Sequence, residues 1–281
     1  MTPTAMTTTP TLATPMLELD FMRTAFMAAA AVALVAGPVG YFLVLRGQTF
    51  AGHALAHVGF TGATGALLIG LSPLAGLILL TLAAGFGMGL FGARLANRDI
   101  AIGMVLALAL GLGLLFLHFY KSAATQASAL LFGNILAING QTLNLLALLS
   151  GVCIAMLLAI SRPLLLASLQ PELAEAKGIN MRILSTIFMM LVALATAATS
   201  QIVGVLLVFA LMVGPGATAL RLCTSALAGI ICAAILALAE AWVGIALAYA
   251  TDWPVSFWIT ALAIAVYATA SAAGTLRHAS A

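Results

Sequence analysis

The sequence predicts an all-α integral membrane protein, a polytopic bundle of about eight or nine transmembrane helices with one short helix outside the membrane core. Three observations predict it. Of 281 residues 64% are hydrophobic. Only 6% are charged, against about a quarter in an ordinary globular chain, so lipid must cover most of the surface. The apolar runs are long and do not alternate, and since every backbone polar group in a bilayer needs an internal partner, helices win over a closed barrel.

The net charge of +3 is too small to suggest a nucleic-acid partner, and the partner it leaves is the lipid bilayer. The first twenty residues, rich in Thr, Pro and Ala, lack both a basic start and a continuous apolar core. They read as a disordered tail over residues 1–20, ahead of a single transmembrane domain over 21–276. Cys153, Cys223 and Cys232 fall in apolar segments with no close Cys or His in sequence, so they read as small apolar filler.

A span needs about 20 apolar residues, and breaks at Gly, Pro, Arg or polar clusters divide the chain into about nine. The expected spans are Phe21 to Leu45, Phe50 to Leu71, Pro73 to Ala93, Ile100 to Phe119, Thr142 to Ile160, Ile183 to Thr199, Ile202 to Leu220, Ser225 to Ala250 and Pro254 to Thr275. A continuous helix through Ser200 and Gln201 would reduce the count to eight. Cytoplasmic loops hold the excess of Lys and Arg. With the connection 161–182 inside, Arg46, Arg94, Arg98, Arg162, Lys177, Arg182, Arg221 and Arg277 all face the cytoplasm, and only Arg23 and Lys121 remain outside. The N-terminus is then external and the C-terminus internal, with Trp253 and Trp258 as aromatic anchors at the outer interface.

Helix two carries His53, His57, Thr61 and Thr64 on one narrow arc of an otherwise apolar stretch. Polar groups are costly in a bilayer unless they face other helices or a water-filled path, so a coherent stripe is a functional-site hypothesis. The i, i+4 spacing lets two neutral imidazoles share one cation, and imidazole suits zinc, copper, nickel or iron better than magnesium or calcium. Hydrogen bonding of both rings to neighbouring helices is the plain alternative. One chain supplies only two imidazoles; two copies about a two-fold axis would bring four, which matches zinc's tetrahedral preference.

Between the fifth and sixth spans lies Gln170-Pro171-Glu172-Leu173-Ala174-Glu175-Ala176-Lys177-Gly178. Proline at the first helical position, acids in the first turn, lysine in the last and glycine past the end spell a short helix outside the membrane core. An interfacial spacer is one reading of it. Glu240 sits deep in the eighth span, where three roles stay open: lining a path, pairing across helices, or carrying a proton. Asp252 and His118 fall near external helix ends, where solvation suffices, and Asp99 reads as a cap or dipole partner at a helix start.

Taken together the segments resemble the permeases of zinc, manganese and iron ABC importers, from about Phe21 to Tyr267. Gly52-His53-Ala54-Leu55-Ala56-His57-Val58-Gly59-Phe60-Thr61-Gly62 is similar to that family's Gly-Asp-Ala-Leu-Ser-His-Ala-Val-Leu-Pro-Gly. Asp99-Ile100-Ala101-Ile102-Gly103 resembles its Asp-x-x-Ile-Gly stretch, and Leu131-Phe132-Gly133-Asn134 its Leu-Phe-Gly-Asp. Val203-Gly204-Val205-Leu206-Leu207-Val208, followed by Ala210-Leu211-Met212-Val213-Gly214-Pro215, resembles the element near the family's pathway. Glu172-x-Ala174-x-x-x-Gly178 is similar to the loop by which such permeases dock onto their ATPase.

The resemblance implies a transport subunit of the bacterial cytoplasmic membrane, not itself an enzyme. It implies a cytoplasmic ABC ATPase dimer, a second permease copy forming a homodimer, and an extracytoplasmic metal-binding protein that delivers the ion. The short cytoplasmic helix with Glu172, Ala174 and Gly178 becomes the coupling helix. His53 and His57 become the metal contacts, with Thr61, Thr64, Pro215 and Glu240 as pathway candidates. Zn²⁺, or Mn²⁺, is then transported substrate rather than a resident cofactor. His53 stands where the family carries Asp, and because Mn²⁺ prefers oxygen ligands this favours zinc. The chain has no Gly-x-x-x-x-Gly-Lys-Ser/Thr loop and no His-Glu-x-x-His helix. An ion-coupled secondary cation transporter would use the same histidines without any ATPase.

Overall fold

The computed structural model describes residues 16–91, 98–119, 130–133, 135 and 138–279. Ten α-helices account for most of them: α1 (Asp20–Leu45), α2 (Thr49–Leu68), α3 (Pro73–Phe91), α4 (Arg98–Phe119), α5 (Gly140–Leu169), α6 (Pro171–Ala176), α7 (Met181–Val203), α8 (Val208–Leu222), α9 (Ala226–Thr251) and α10 (Val255–Ala279). No strand occurs among the described residues. Seven of these helices, α1, α3, α4, α5, α7, α9 and α10, are long and apolar enough to cross a membrane. The chain is thus a multi-pass all-α membrane protein.

The two expected spans outside that set explain themselves. Helix α2 has 20 residues, about 30 Å at 1.5 Å per residue, but its two histidines, three threonines and four glycines hold its hydropathy down. It does not need to be apolar, because α1, α3, α4, α7 and α8 pack around it. Helix α8 has only 15 residues. Ser200 and Gln201 do not break the chain: α7 runs on to Val203, and the break comes at Gly204, whose φ of 77° is left-handed backbone that favours glycine.

The other boundary that moved is at Ile160. Helix α5 continues through Arg162 and Pro163 to Leu169, for which Pro163 gives up one intrahelical hydrogen bond, a loss that membrane helices tolerate. At 30 residues it is about 45 Å long, longer than a hydrocarbon core of about 30 Å. Within the stretch expected as a tail, Met16–Glu18 form a turn of 3₁₀ helix and Asp20 opens α1. Residues 1–15, Arg94, Lys121 and Asn134 lie outside the described residues.

Burial sorts the helices into inner and outer. The apolar windows of α1 and α7 are 72% and 78% buried, whereas those of α4, α5 and α10 are each 22% buried and leave large apolar side chains on the outside. Small residues let the inner helices approach closely. A methyl on Gly37 would overlap the Ala233 carbonyl of α9, and one on Gly40 the Met212 carbonyl of α8.

Two ends of the bundle are distinguishable. At one, Arg46 Nη1 donates to Ser168 Oγ at 3.3 Å, which brings the end of α1 beside the end of α5 and the start of α6. At the other, the connection between α4 and α5 folds onto the α7–α8 turn: Val205 N donates to Leu130 O at 3.1 Å and Leu206 N to Leu131 O at 3.2 Å. Ser256 Oγ donates to Phe132 O at 2.7 Å. Gly133 and Gly204, both at φ 77°, cross there so closely that a Cβ on either would run into the backbone around the other. Trp253 and Trp258 stack near this end with ring centroids 5.7 Å apart.

Candidate metal centre

Helix α2 starts after the left-handed turn at Gly47 and ends before Gly70, two positive-φ glycines, with no proline between them. Its close neighbours follow from its glycines. Gly62 crosses Gly76 of α3 backbone against backbone, and Gly113 of α4 leaves room for Phe60 and Thr61. Packing this tight turns the polar arc away from lipid: His57, Thr61 and Thr64 are buried, and His53 is half-buried.

The two imidazoles meet edge to face, with centroids 4.8 Å apart and planes at 83°. His53 is also met by Phe209 at the start of α8, with ring centroids 5.8 Å apart and planes at 87°. His57 Nδ1 is buried and has no hydrogen-bond partner. A buried ring nitrogen with no donor or acceptor is costly unless it serves a ligand. Two imidazole nitrogens binding one tetrahedral ion at 2.0–2.1 Å lie roughly 3.4 Å apart, a separation that neighbouring rings of this kind reach by side-chain rotation. The pair does not complete a site alone: among the described residues no group of three or more His, Cys, Asp and Glu side chains is placed to hold an ion.

The threonines behave differently. Thr61 Oγ1 is shared between His57 O, at 3.2 Å, and Ala109 O of α4. Thr64 Oγ1 donates to Phe60 O at 3.0 Å, with Thr61 O at 3.1 Å. Both hydroxyls are satisfied by main chain, so Thr61 ties α2 to α4. Pro215 is buried in α8, and Glu240 is 3% exposed in α9 with neither carboxylate oxygen partnered. Helix α9 packs on α1, α8 and α10, so Glu240 stands on a different helix interface from the histidine pair. Phe209 had no signal in the sequence, because only the fold brings α8 across α2.

Helix α6 is the short helix its caps specify. Gly178 N donates to Glu175 O at 2.9 Å and Ile179 N to Ala174 O at 3.1 Å, with Gly178 at φ 79°. This is the paired closing pattern of a glycine-terminated helix. Ala174 is fully buried against the body of the protein, whereas Glu172, Leu173, Glu175 and Lys177 are exposed. The helix therefore presents an outward face of fixed shape.

These features coincide with a known family. Residues 18–274 match the model of the ABC 3 transport family, and the chain belongs to that family. It is 30% identical over 223 residues to the manganese transport system membrane protein MntC of Listeria monocytogenes, covering 79% of each chain. It is 28% identical over 191 residues to the high-affinity zinc uptake system membrane protein ZnuB of Haemophilus influenzae, covering 68% of this chain and 73% of that one. Among solved structures, one titled PsaBC from Streptococcus pneumoniae in complex with Fab superposes with a TM-score of 0.82 at 25% identity, over 91% of this chain and 92% of that one.

Proposed function

We propose that this chain is the permease subunit of an ABC importer for a divalent first-row transition metal ion, with zinc its cargo. The observation that carries this reading is the pair His53 and His57, two imidazoles 4.8 Å apart on an enclosed helix, one of which has an orphaned nitrogen. Two nitrogen donors favour zinc over manganese. A second copy of the chain would complete four-coordination across a two-fold axis. Thr61, Thr64 and Pro215 are candidate linings secondary to the imidazoles, while Glu240, on a different helix interface, is set apart from the route.

In this reading α6 is the coupling helix: Glu172 engages a cytoplasmic ABC ATPase dimer, Gly178 closes the helix, and Ala174, expected at the same contact, is buried and instead seats the helix on the permease. A metal-binding protein delivers the ion on the outer side of a bacterial cytoplasmic membrane, where the N-terminus lies, and the C-terminus lies on the cytoplasmic side. Manganese is the second reading, favoured by the name of the 30% identical Listeria relative. The test is uptake into proteoliposomes holding the permease, its ATPase and its binding protein, offered zinc, manganese and iron in turn. Zinc accumulation that requires ATP is expected. Manganese accumulation without zinc would transfer the cargo to the second reading, and uptake without ATP would reject the ABC importer.

A further inference from the structure

Helix α6 is strung between α5, which precedes it, and α7, which follows it, and one side chain of α1 touches both of those helices. Arg46, the C-terminal cap of α1, donates from Nη1 to Ser168 Oγ at 3.3 Å. Ser168 lies in the last turn of α5, with only Leu169 and Gln170 between it and the start of α6. Its own hydroxyl donates to Leu164 O at 2.6 Å, which leaves the oxygen a lone pair for the guanidinium. The guanidinium carbon of Arg46 also stands over the ring of Phe188 on α7, 5.5 Å from its centroid. Phe188 is fully buried and meets Phe42, one turn back on α1, edge to face with centroids 6.5 Å apart.

From Arg46 the chain passes into the histidine helix through a closed turn. Arg46 N donates to Phe42 O at 3.0 Å, Gly47 N to Val44 O at 3.0 Å and Gln48 N to Leu43 O at 2.8 Å. Gly47 supplies the left-handed φ of 62° on which such a closing pattern depends. Gln48, the N-terminal cap of α2, is buried, and His53 stands one turn into that helix. A displacement of the helix ends that flank α6 thus has a short bonded route to the first imidazole.

We propose that Arg46 is the positioning residue that couples movement of α6 to the histidine pair, an inference that rests on the reading of α6 as the coupling helix. Coupling between separated sites is carried by packed side chains and hydrogen bonds that join rigid elements. Arginine suits this task, because a planar, always charged fork can donate to a hydroxyl while standing over an aromatic ring, which the point charge of lysine does less well. When the ATPase shifts α6, the end of α5 and the start of α7 carry the guanidinium with them, and the closed turn passes the shift to His53.

The experiment reconstitutes the full-length permease with its ATPase and binding protein and reads ion uptake and ATP hydrolysis in the same proteoliposomes, with zinc and manganese offered separately. Arg46→Gln should capture the ATPase and hydrolyse ATP like the parent, while the ions delivered per ATP fall at least about fivefold. Arg46→Lys, which keeps the charge, should fall between the two. Ser168→Ala and Phe188→Leu each remove one of the two contacts and should each lower the ratio about twofold. A parental ratio in Arg46→Gln would overturn the proposal, and so would a loss of uptake matched by an equal loss of hydrolysis, which is what a merely structural role produces. Should Arg46→Gln not assemble, parental ratios in both Ser168→Ala and Phe188→Leu would overturn it instead. The parent separates this inference from the reading beneath it: no ATP-driven uptake of either ion by the parent strikes that reading, whereas a coupled parent beside an equally coupled Arg46→Gln strikes this inference alone.

Discussion

The ring of Phe209 meets His53 edge to face at 5.8 Å, and the same imidazole meets His57 at 4.8 Å. Phe209 therefore packs against the imidazole of His53 and helps to hold its rotamer. Aromatic pairs of this geometry contribute about 0.5–1.5 kcal/mol beyond their area. Phe209→Ala should raise the KM for metal uptake roughly two- to tenfold with the ATPase still bound, and Phe209→Tyr should restore it. Uptake kinetics in proteoliposomes check this; an unchanged KM would show that Phe209 does not position His53.

A second prediction concerns the crossing of Gly133 and Gly204. Both sit at φ 77° and neither has room for a Cβ. Gly204→Ala adds left-handed strain, worth about 1–3 kcal/mol, to an overlap with the 131–133 backbone. It should lower thermal stability in detergent clearly. Gly87→Ala, on a helix and with nothing near its Cβ, should leave stability unchanged or raise it by up to about 1 kcal/mol.

Glu240 offers a third. It is 3% exposed with both oxygens unpartnered, and replacing such a group by a well-packed apolar one removes a penalty of about 1–3 kcal/mol. Glu240→Met should melt higher than the parent, and Glu240→Gln should transport normally, since α9 is not a neighbour on which the α2 stripe depends. Loss of uptake in Glu240→Gln with normal assembly would return Glu240 to the ion's route.

Helix α6 supplies the fourth. Glu172 is exposed, and surface substitutions usually shift stability by no more than about 0.5 kcal/mol. Glu172→Lys should keep the melting temperature and weaken capture of the ATPase roughly fivefold or more, measured by co-purification. Gly178→Ala forces an alanine into left-handed backbone and should cost about 1 kcal/mol, loosening the same contact through the helix end. Equal ATPase capture by both variants would separate α6 from coupling.

What the sequence made legible is what depends on neighbours along the chain. The arc from His53 to Thr64 follows from helical spacing, and the limits of α6 follow from Pro171 and Gly178, each acting within one turn. What depends on contacts across the fold was not legible. Pro163 reads as a helix end but is absorbed by α5. Ser200 and Gln201 read as a break, yet the chain turns at Gly204, where a second backbone crosses it. Thr61 and Thr64 read as a polar stripe, but that their hydroxyls donate to carbonyls, one of them on α4, was not visible in it. The contact of Phe209 with His53 brings together residues on different helices that no local pattern connects.

The most direct measurement is ATP-driven zinc uptake by proteoliposomes carrying the complete transporter with either the parent permease or the His53→Ala, His57→Ala double variant. Because among the described residues the two rings make no hydrogen bond that holds the helices together, the variant should assemble and bind its ATPase normally while its zinc uptake falls to the level seen without ATP. A double variant that accumulates zinc at the parental rate would contradict the account.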